Sequence, residues 1–384
     1  MNPKRTIIVS GMIAADPWQG GATWAVLQYL LGLRQLGHDV YFIEPIAAKA
    51  LTPQGIPLKD SDNARYFADV VEEFDLRGHA ALLLSDTKET FGLGYSELQR
   101  TAARTDVHLN ISGMLTDETL TAKIPTRVYL GLDPAFNQFW HATQNIDMRF
   151  AKHTHHVTIG QNIGNADCPV PTCGVNWLKT WQPVVLEHWP VASQIDHDAF
   201  TTIANWRAYG SINYNGVAYG QKAHSLRQFM TLPTLTDELF ELALAIHPDE
   251  AADLAALRTN RWQLLNPAHV VNTPSAYRRF VQESRAEFGI AKSGYVLSRC
   301  GWFSDRSICY LASGRPVLAQ DCGFGSLLPA GEGLLTFTTM DDCLRGIESL
   351  RGNYARHTAR AREIAEEWFD SDKVLKRLLK LVGS

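Results

Sequence analysis

Apolar and polar positions follow two alternating periods along this chain. Residues 6–13 (Thr-Ile-Ile-Val-Ser-Gly-Met-Ile) form a nearly unbroken apolar run of strand length, the pattern of a strand covered on both faces in a parallel sheet. A loop from Ala14 to Gly21 follows, carrying Pro17 and the pair Gly20-Gly21. Residues 22–36 then place Trp24, Leu27, Leu30, Leu31 and Leu33 at helical spacing, with Gly37 as the stop. Residues 39–44 read as a second strand. Strand, loop, helix and strand in this order predict a βαβ unit opening a doubly wound α/β domain.

The alternation continues with strands at 80–85, 107–112, 127–132 and 156–159 and helices at 64–74, 95–104 and 117–123. From Asp167 to Pro190 no period holds. Trp177, Trp181 and Trp189 nevertheless call for burial, which predicts an ordered connection. A second series follows, with strands at 200–206, 239–246, 262–265, 294–298 and 316–320. Its helices are expected at 251–258, 275–288, 304–312, 340–350, 354–368 and 371–382. The expected division is an N-terminal domain 1–180, a linker 181–190, a second Rossmann-like domain 191–368 and a closing segment 369–384. Two such domains face each other across a cleft at the carboxyl ends of their strands, where ligands bind.

Length and composition agree with two globular domains: 384 residues, 45% hydrophobic and 20% charged. Thirty-six Lys and Arg against 40 Asp and Glu leave a net charge of −4, which argues against a nucleic-acid binder held by a phosphate-neutralising surface. A pocket for a small anion needs only a few cations and remains within reach. No apolar run approaches the ~18–20 residues of a membrane span. Met1-Asn2-Pro3-Lys4-Arg5 has the basic start of a secretion signal, but Ser10 and Gly11 interrupt the apolar stretch behind it, which suits a buried first strand. Six cysteines make no disulfide framework in a chain of this length, so the cytoplasm is the expected compartment. His153, His155 and His156 with Cys168 and Cys173 lack zinc spacing, and no metal is expected.

The segment richest in chemistry runs from Tyr295 to Asp321. It reads as a strand, a tight turn at Gly301, a helix with Ser304 as N-cap, Gly314 as its stop and Pro316 opening the next strand. A helix start after a glycine turn offers unpaired N–H groups and the positive end of the dipole, a site for phosphate, and Arg299 and Arg306 flank it.

This segment resembles the donor-binding region of GT-B glycosyltransferases. Members acting on secondary metabolites carry His-Cys-Gly-Trp-Asn-Ser, a helix, a small-residue–Gly–x–Pro–Val strand and an acidic-Gln pair. This chain has Arg299-Cys300-Gly301-Trp302-Phe303-Ser304, then Ala312-Ser313-Gly314-Arg315-Pro316-Val317 and Gln320-Asp321. It departs from that pattern with Arg299 for the His, Phe303 for the Asn and Ser307 for the Glu at the nucleotide ribose. The resemblance implies a GT-B fold: two Rossmann-like domains facing a cleft, with a C-terminal helix crossing back to the N-terminal domain. It implies that Arg299, Ser304 and the amides after Gly301 serve the donor diphosphate, with Asp305 at the helix start, and that Gln320 and Asp321 face the sugar. Arg306 is a donor candidate from its place beside the turn.

The implied activity is transfer of a sugar from a nucleoside-diphosphate sugar to a small-molecule or glycan hydroxyl, with no cofactor beyond the donor and no nucleic-acid partner. A sugar-nucleotide epimerase and a non-catalytic metabolite-binding protein are the alternatives. Loops after strands supply further candidates: Gly20, Gly21, Gly160 and Gly164 to line the cleft, and Arg207 to reach the diphosphate. By analogy with the fold, Pro267 to Val270 would receive the base. An inverting reaction needs a general base. Asp16, in the first loop, and Asp133, after the strand at 127–132, are the candidates; a retaining reaction needs neither.

Overall fold

The opening apolar run becomes β1 (Thr6–Ser10), with Ile7, Ile8 and Val9 all buried. The computed structural model describes residues 4–383; the basic start at Met1 to Pro3 and the final Ser384 of the closing segment lie outside the described residues. The helix after the first loop, Gly20–Gln35, begins at the glycine pair. It turns into β2 (Asp39–Ile46), parallel to β1.

The first sheet adds β3 (Ala80–Leu84), β4 (Thr90–Gly92), β5 (Val107–Ile111), β6 (Thr126–Gly131), β7 (His155–Thr158) and β8 (Trp177–Lys179). Its strand order is β4-β3-β2-β1-β5-β6-β7-β8, and every pair but β3–β4 is parallel. The second sheet contains β9 (His197–Asn205), β12 (Phe240–Ala245), β13 (Gln263–Leu265), β14 (Ser284–Gly289), β15 (Val317–Gln320) and β16 (Leu334–Phe337). Its order is β13-β12-β9-β14-β15-β16, all parallel. Between β9 and β12 the hairpin β10 (Ile212–Tyr214) and β11 (Val217–Tyr219) turns at Asn215-Gly216, both at positive φ. In each sheet the order reverses beside the first strand of the lobe, opening a crevice between β1 and β5 and another between β9 and β14.

Two expected elements are exchanged. A helix was expected at 275–288 and a strand at 294–298; the chain instead forms the helix Pro274–Glu283, then β14, then the helix Ser293–Ser298. No Gly or Pro marks the break. The break falls at Ser284, whose backbone turns extended (φ −75°, ψ 147°) while its hydroxyl donates to the Phe280 carbonyl at 2.6 Å and accepts from the Thr201 hydroxyl at 2.7 Å. Burial between β9 and β15 then outweighs the helical spacing that runs on through Phe288. At the other end of the chain, the helix Ser371–Leu381 lies against Gly20–Gln35, where a Cβ at Gly32 would sit 2.6 Å from Leu375. No helix among the described residues is long and apolar enough to cross a membrane.

Candidate active site

The carboxyl ends of the two sheets face each other, and the cleft between them is closed at one end by polar contacts. Asp133, just after β6, accepts from Lys292 Nζ (3.1 and 3.2 Å), from the Tyr209 hydroxyl (2.7 Å) and from the Tyr295 hydroxyl. Lys292 Nζ also lies 4.5–5.1 Å from the ring centres of Tyr209, Phe136 and Tyr295, within cation–π range. Beside this cluster Asn162 Nδ2 donates to the carbonyls of Arg299 (2.8 Å) and Gly323 (3.1 Å), and its N–H donates to the Cys300 carbonyl (3.0 Å).

Gly301 therefore meets the loop from Gly160 to Gly164. It sits at φ +77°, and a Cβ there would lie 2.9 Å from Asn162 N. Gly160 rests on Pro134, and Gly164 turns at φ +90°. The turn expected to cradle phosphate is thus an interlobe contact, covered by the opposite lobe.

The other end of the cleft opens into a cavity of about 780 Å³. Residues 17–22 form its wall from the first lobe. Residues 203–205, 244–246 and 264–268, at the ends of β9, β12 and β13, form it from the second. Gly20 and Gly21 belong to this wall, and they are glycines because the second lobe is so near: added Cβ atoms would lie 2.3 Å from the Thr273 carbonyl oxygen and 2.7 Å from the Tyr277 ring. Two cations reach the cavity, Arg258 at its rim and Lys222 in its wall. Burial, then the charges of Arg306 and Lys292, hold the Lys222 amine well below the usual lysine range. Sequence reasoning missed Lys222, which follows the β10–β11 hairpin with no pattern of its own.

The remaining expected site residues are placed as follows. Ser304 stands at the N-cap of the helix Asp305–Ala312, but its side chain makes no cap bond. Arg306 is buried; its Nε donates to Glu287 Oε1 at 2.6 Å and its Nη1 to the Ile203 carbonyl at 2.9 Å, tying that helix to β14 and β9. Arg299 is exposed, with left-handed backbone (φ +46°). Arg207 pairs with Glu250 on the surface. Gln320 is buried and accepts from Ala291 N at 3.3 Å. Asp321 accepts from Gly323 N (2.9 Å) and Gly325 N (3.0 Å), closing its own turn. Asp16 is exposed, one residue before Pro17 of the cavity wall, and partial desolvation raises its carboxyl above the usual range.

No family model and no curated protein matches the sequence. Solved structures do. The chain is similar to a glycosyltransferase from Rickettsia africae (11% identity, TM-score 0.54, covering 100% of this chain and 98% of that one). It is similar to Anabaena HepE in complex with UDP and glucose (10%, 0.57, 99% of each). It is also similar to an alpha-glucosyltransferase in complex with UDP-glucose and DNA containing an abasic site (12%, 0.63, 100% of each). The fold is GT-B over the whole chain.

Proposed function

We propose that this chain is a glycosyltransferase that binds a nucleoside-diphosphate sugar in the interlobe cavity and passes the sugar to a hydroxyl of a small molecule or glycan. The observation that carries the proposal is Lys222: a cation in the cavity wall that forms no salt bridge among the described residues, opposite the start of the helix Gly20–Gln35. A diphosphate supplies the missing counter-charge. The sixteen-residue helix adds its free N–H groups and positive dipole end. Residues 264–268, with Asn266 among apolar neighbours, suit a nucleobase edge. The structural neighbours bound to UDP or UDP-glucose support the same donor class.

As the glycosidic bond breaks, negative charge grows on the leaving diphosphate, and a fixed ammonium beside it stabilises that charge without reorganisation. Arg306 acts from behind by holding the helix Asp305–Ala312 on the sheet. If the anomeric centre inverts, Asp16 is the better base: it makes no side-chain hydrogen bond among the described residues, whereas Asp133 already receives three donors. We propose a cytoplasmic enzyme needing no cofactor beyond the donor. The excess of acidic residues disfavours DNA as acceptor, although the similar alpha-glucosyltransferase was crystallised with DNA.

Calorimetric titration of UDP, GDP, ADP, TDP and CDP tests the reading. Binding of at least one, weakened tenfold or more in Lys222→Ala, is expected. Absence of binding by all five, or unchanged binding by the variant, overturns it.

A further inference from the structure

Glu44, at the end of β2, is a fully buried carboxylate with no part in the transfer described above. Its partners are main-chain amides of the first loop. Oε1 accepts from Ala14 N at 2.8 Å and from Ala15 N at 2.7 Å, and Oε2 accepts from Ala14 N at 2.9 Å. No Lys, Arg or His is bonded to it among the described residues. An unpaired buried charge is costly, whereas an apolar side chain in its place would leave two amides without acceptors.

Those amides belong to the loop that becomes the first-lobe wall of the cavity. Asn63 makes the second tie, donating to the Ala14 carbonyl at 2.7 Å while accepting from Thr52 N at 2.8 Å. Four residues on, Trp18 takes a left-handed conformation, φ +66°, which a bulky residue adopts only when its surroundings impose it. Its ring leans on Tyr66, with centroids 4.8 Å apart, and the Tyr66 hydroxyl meets Thr23 Oγ1 at 2.8 Å in the first turn of the helix. The loop is therefore fixed at both ends, and Glu44 holds the upstream end.

We propose that Glu44 is a positioning residue of the transfer site. By gripping Ala14 and Ala15 it holds Asp16, Trp18 and the helix start at Gly20 in working register, without touching donor or acceptor. This rests on the transferase reading. Residues 264–268 and Lys222, assigned to the nucleobase and the diphosphate, lie in the second lobe, and the first lobe adds only the helix start at Gly20. Loss of Glu44 should therefore impair turnover more than donor affinity.

The test compares wild type with Glu44→Gln, which keeps the shape and removes the charge, and with Asn63→Ala, which cuts the other tie. Amide hydrogen exchange is followed over residues 11–24, with UDP affinity and UDP-glucose hydrolysis measured alongside. Glu44→Gln should speed exchange at least tenfold in that segment alone and lower kcat at least tenfold, with UDP affinity changed less than threefold. Asn63→Ala should speed exchange over the same segment. Unchanged exchange in Glu44→Gln overturns the proposal, as does UDP affinity falling in step with kcat. If wild type binds no nucleoside diphosphate, the transferase reading fails, while the exchange data still decide whether Glu44 orders the wall.

Discussion

Asp133 of the first lobe and Lys292 of the second are joined by a salt bridge, Oδ2 to Nζ at 3.1 Å, with both side chains largely covered. The pair spans the cleft where the two sheets meet, and the hydroxyls of Tyr209 and Tyr295 complete the carboxylate's shell. A carboxylate so engaged acts as a strut. Asp133→Asn and Lys292→Met should each lower stability by about 1–2 kcal/mol, a range discounted for partial exposure. In urea unfolding the double variant should lose less than the sum of the two, the signature of direct coupling. A large loss of kcat with no change in stability would instead make Asp133 the base.

Lys222 gives a pH dependence with a definite sign. Burial and neighbouring cations lower its affinity for a proton, so the free protein loses the ammonium at a lower pH than an ordinary lysine would. A diphosphate binds the charged form better and draws a proton in. Donor affinity should therefore be highest at low pH and decline as pH rises through the lowered value. Titrating UDP in buffers of different ionisation enthalpy checks this: proton uptake is expected in wild type and should vanish in Lys222→Met. A flat pH profile in wild type would remove Lys222 from the diphosphate site.

Much of the fold was legible because parallel sheets write themselves as apolar runs separated by amphipathic helices. β2, β3, β5, β6 and β15 fall within a residue or two of where the pattern put them, while β1 starts at the expected Thr6 and ends three residues early at Ser10. The exchange around β14 was not legible. Ser284 leaves the helix in extended backbone because β14 pairs with β9 and β15, and its hydroxyl is held by Thr201, 83 residues away in sequence, which no local pattern records. The site divides the same way. Glycines at 20, 21 and 301 announce close approach, yet only the assembled lobes show that each approach is to protein. Lys222 and Glu44 draw their character from burial, which no local spacing records.

The Glu287–Arg306 pair is the most deeply buried salt bridge described, with Glu287 fully covered and Oε2 unpartnered. Arg306→Ala strands that carboxylate and should cost about 3–5 kcal/mol in chemical denaturation. Arg306→Met with Glu287→Gln should recover most of the loss, because two neutral side chains of similar size avoid the desolvation cost. If Arg306 instead served the ligand directly, the double variant would be stable yet lose donor binding as completely as Lys222→Ala.

Gly20→Ala tests how closely the lobes must meet. The added methyl would lie 2.3 Å from the Thr273 carbonyl oxygen and 2.6 Å from that of Val271, both main-chain atoms that cannot rotate away. The lobes must shift apart, at a cost of about 1–3 kcal/mol by analogy with overpacking. A lower melting temperature with weaker UDP binding is expected. Gly37→Ala is a control in open space at φ +86°, where the backbone strain has no ligand consequence.

Glu44 makes stability itself depend on pH. Burial raises its carboxyl to about 7 from an ordinary 4.5, although the amides of Ala14 and Ala15 oppose the shift. Between these values the folded protein keeps a proton that the unfolded chain releases. The stability Glu44 contributes is thus complete below pH 4.5 and drains away as pH climbs through 7. At about 1.4 kcal/mol per pH unit, the loss is on the order of 3 kcal/mol. Guanidinium unfolding of wild type and Glu44→Gln at pH 5 and pH 8 isolates this contribution, because every other titrating group is shared. Glu44→Gln should gain on wild type in going from pH 5 to pH 8. An equal decline in both proteins would mean that the carboxylate titrates in the ordinary range, with its amide partners fully offsetting the cost of burial.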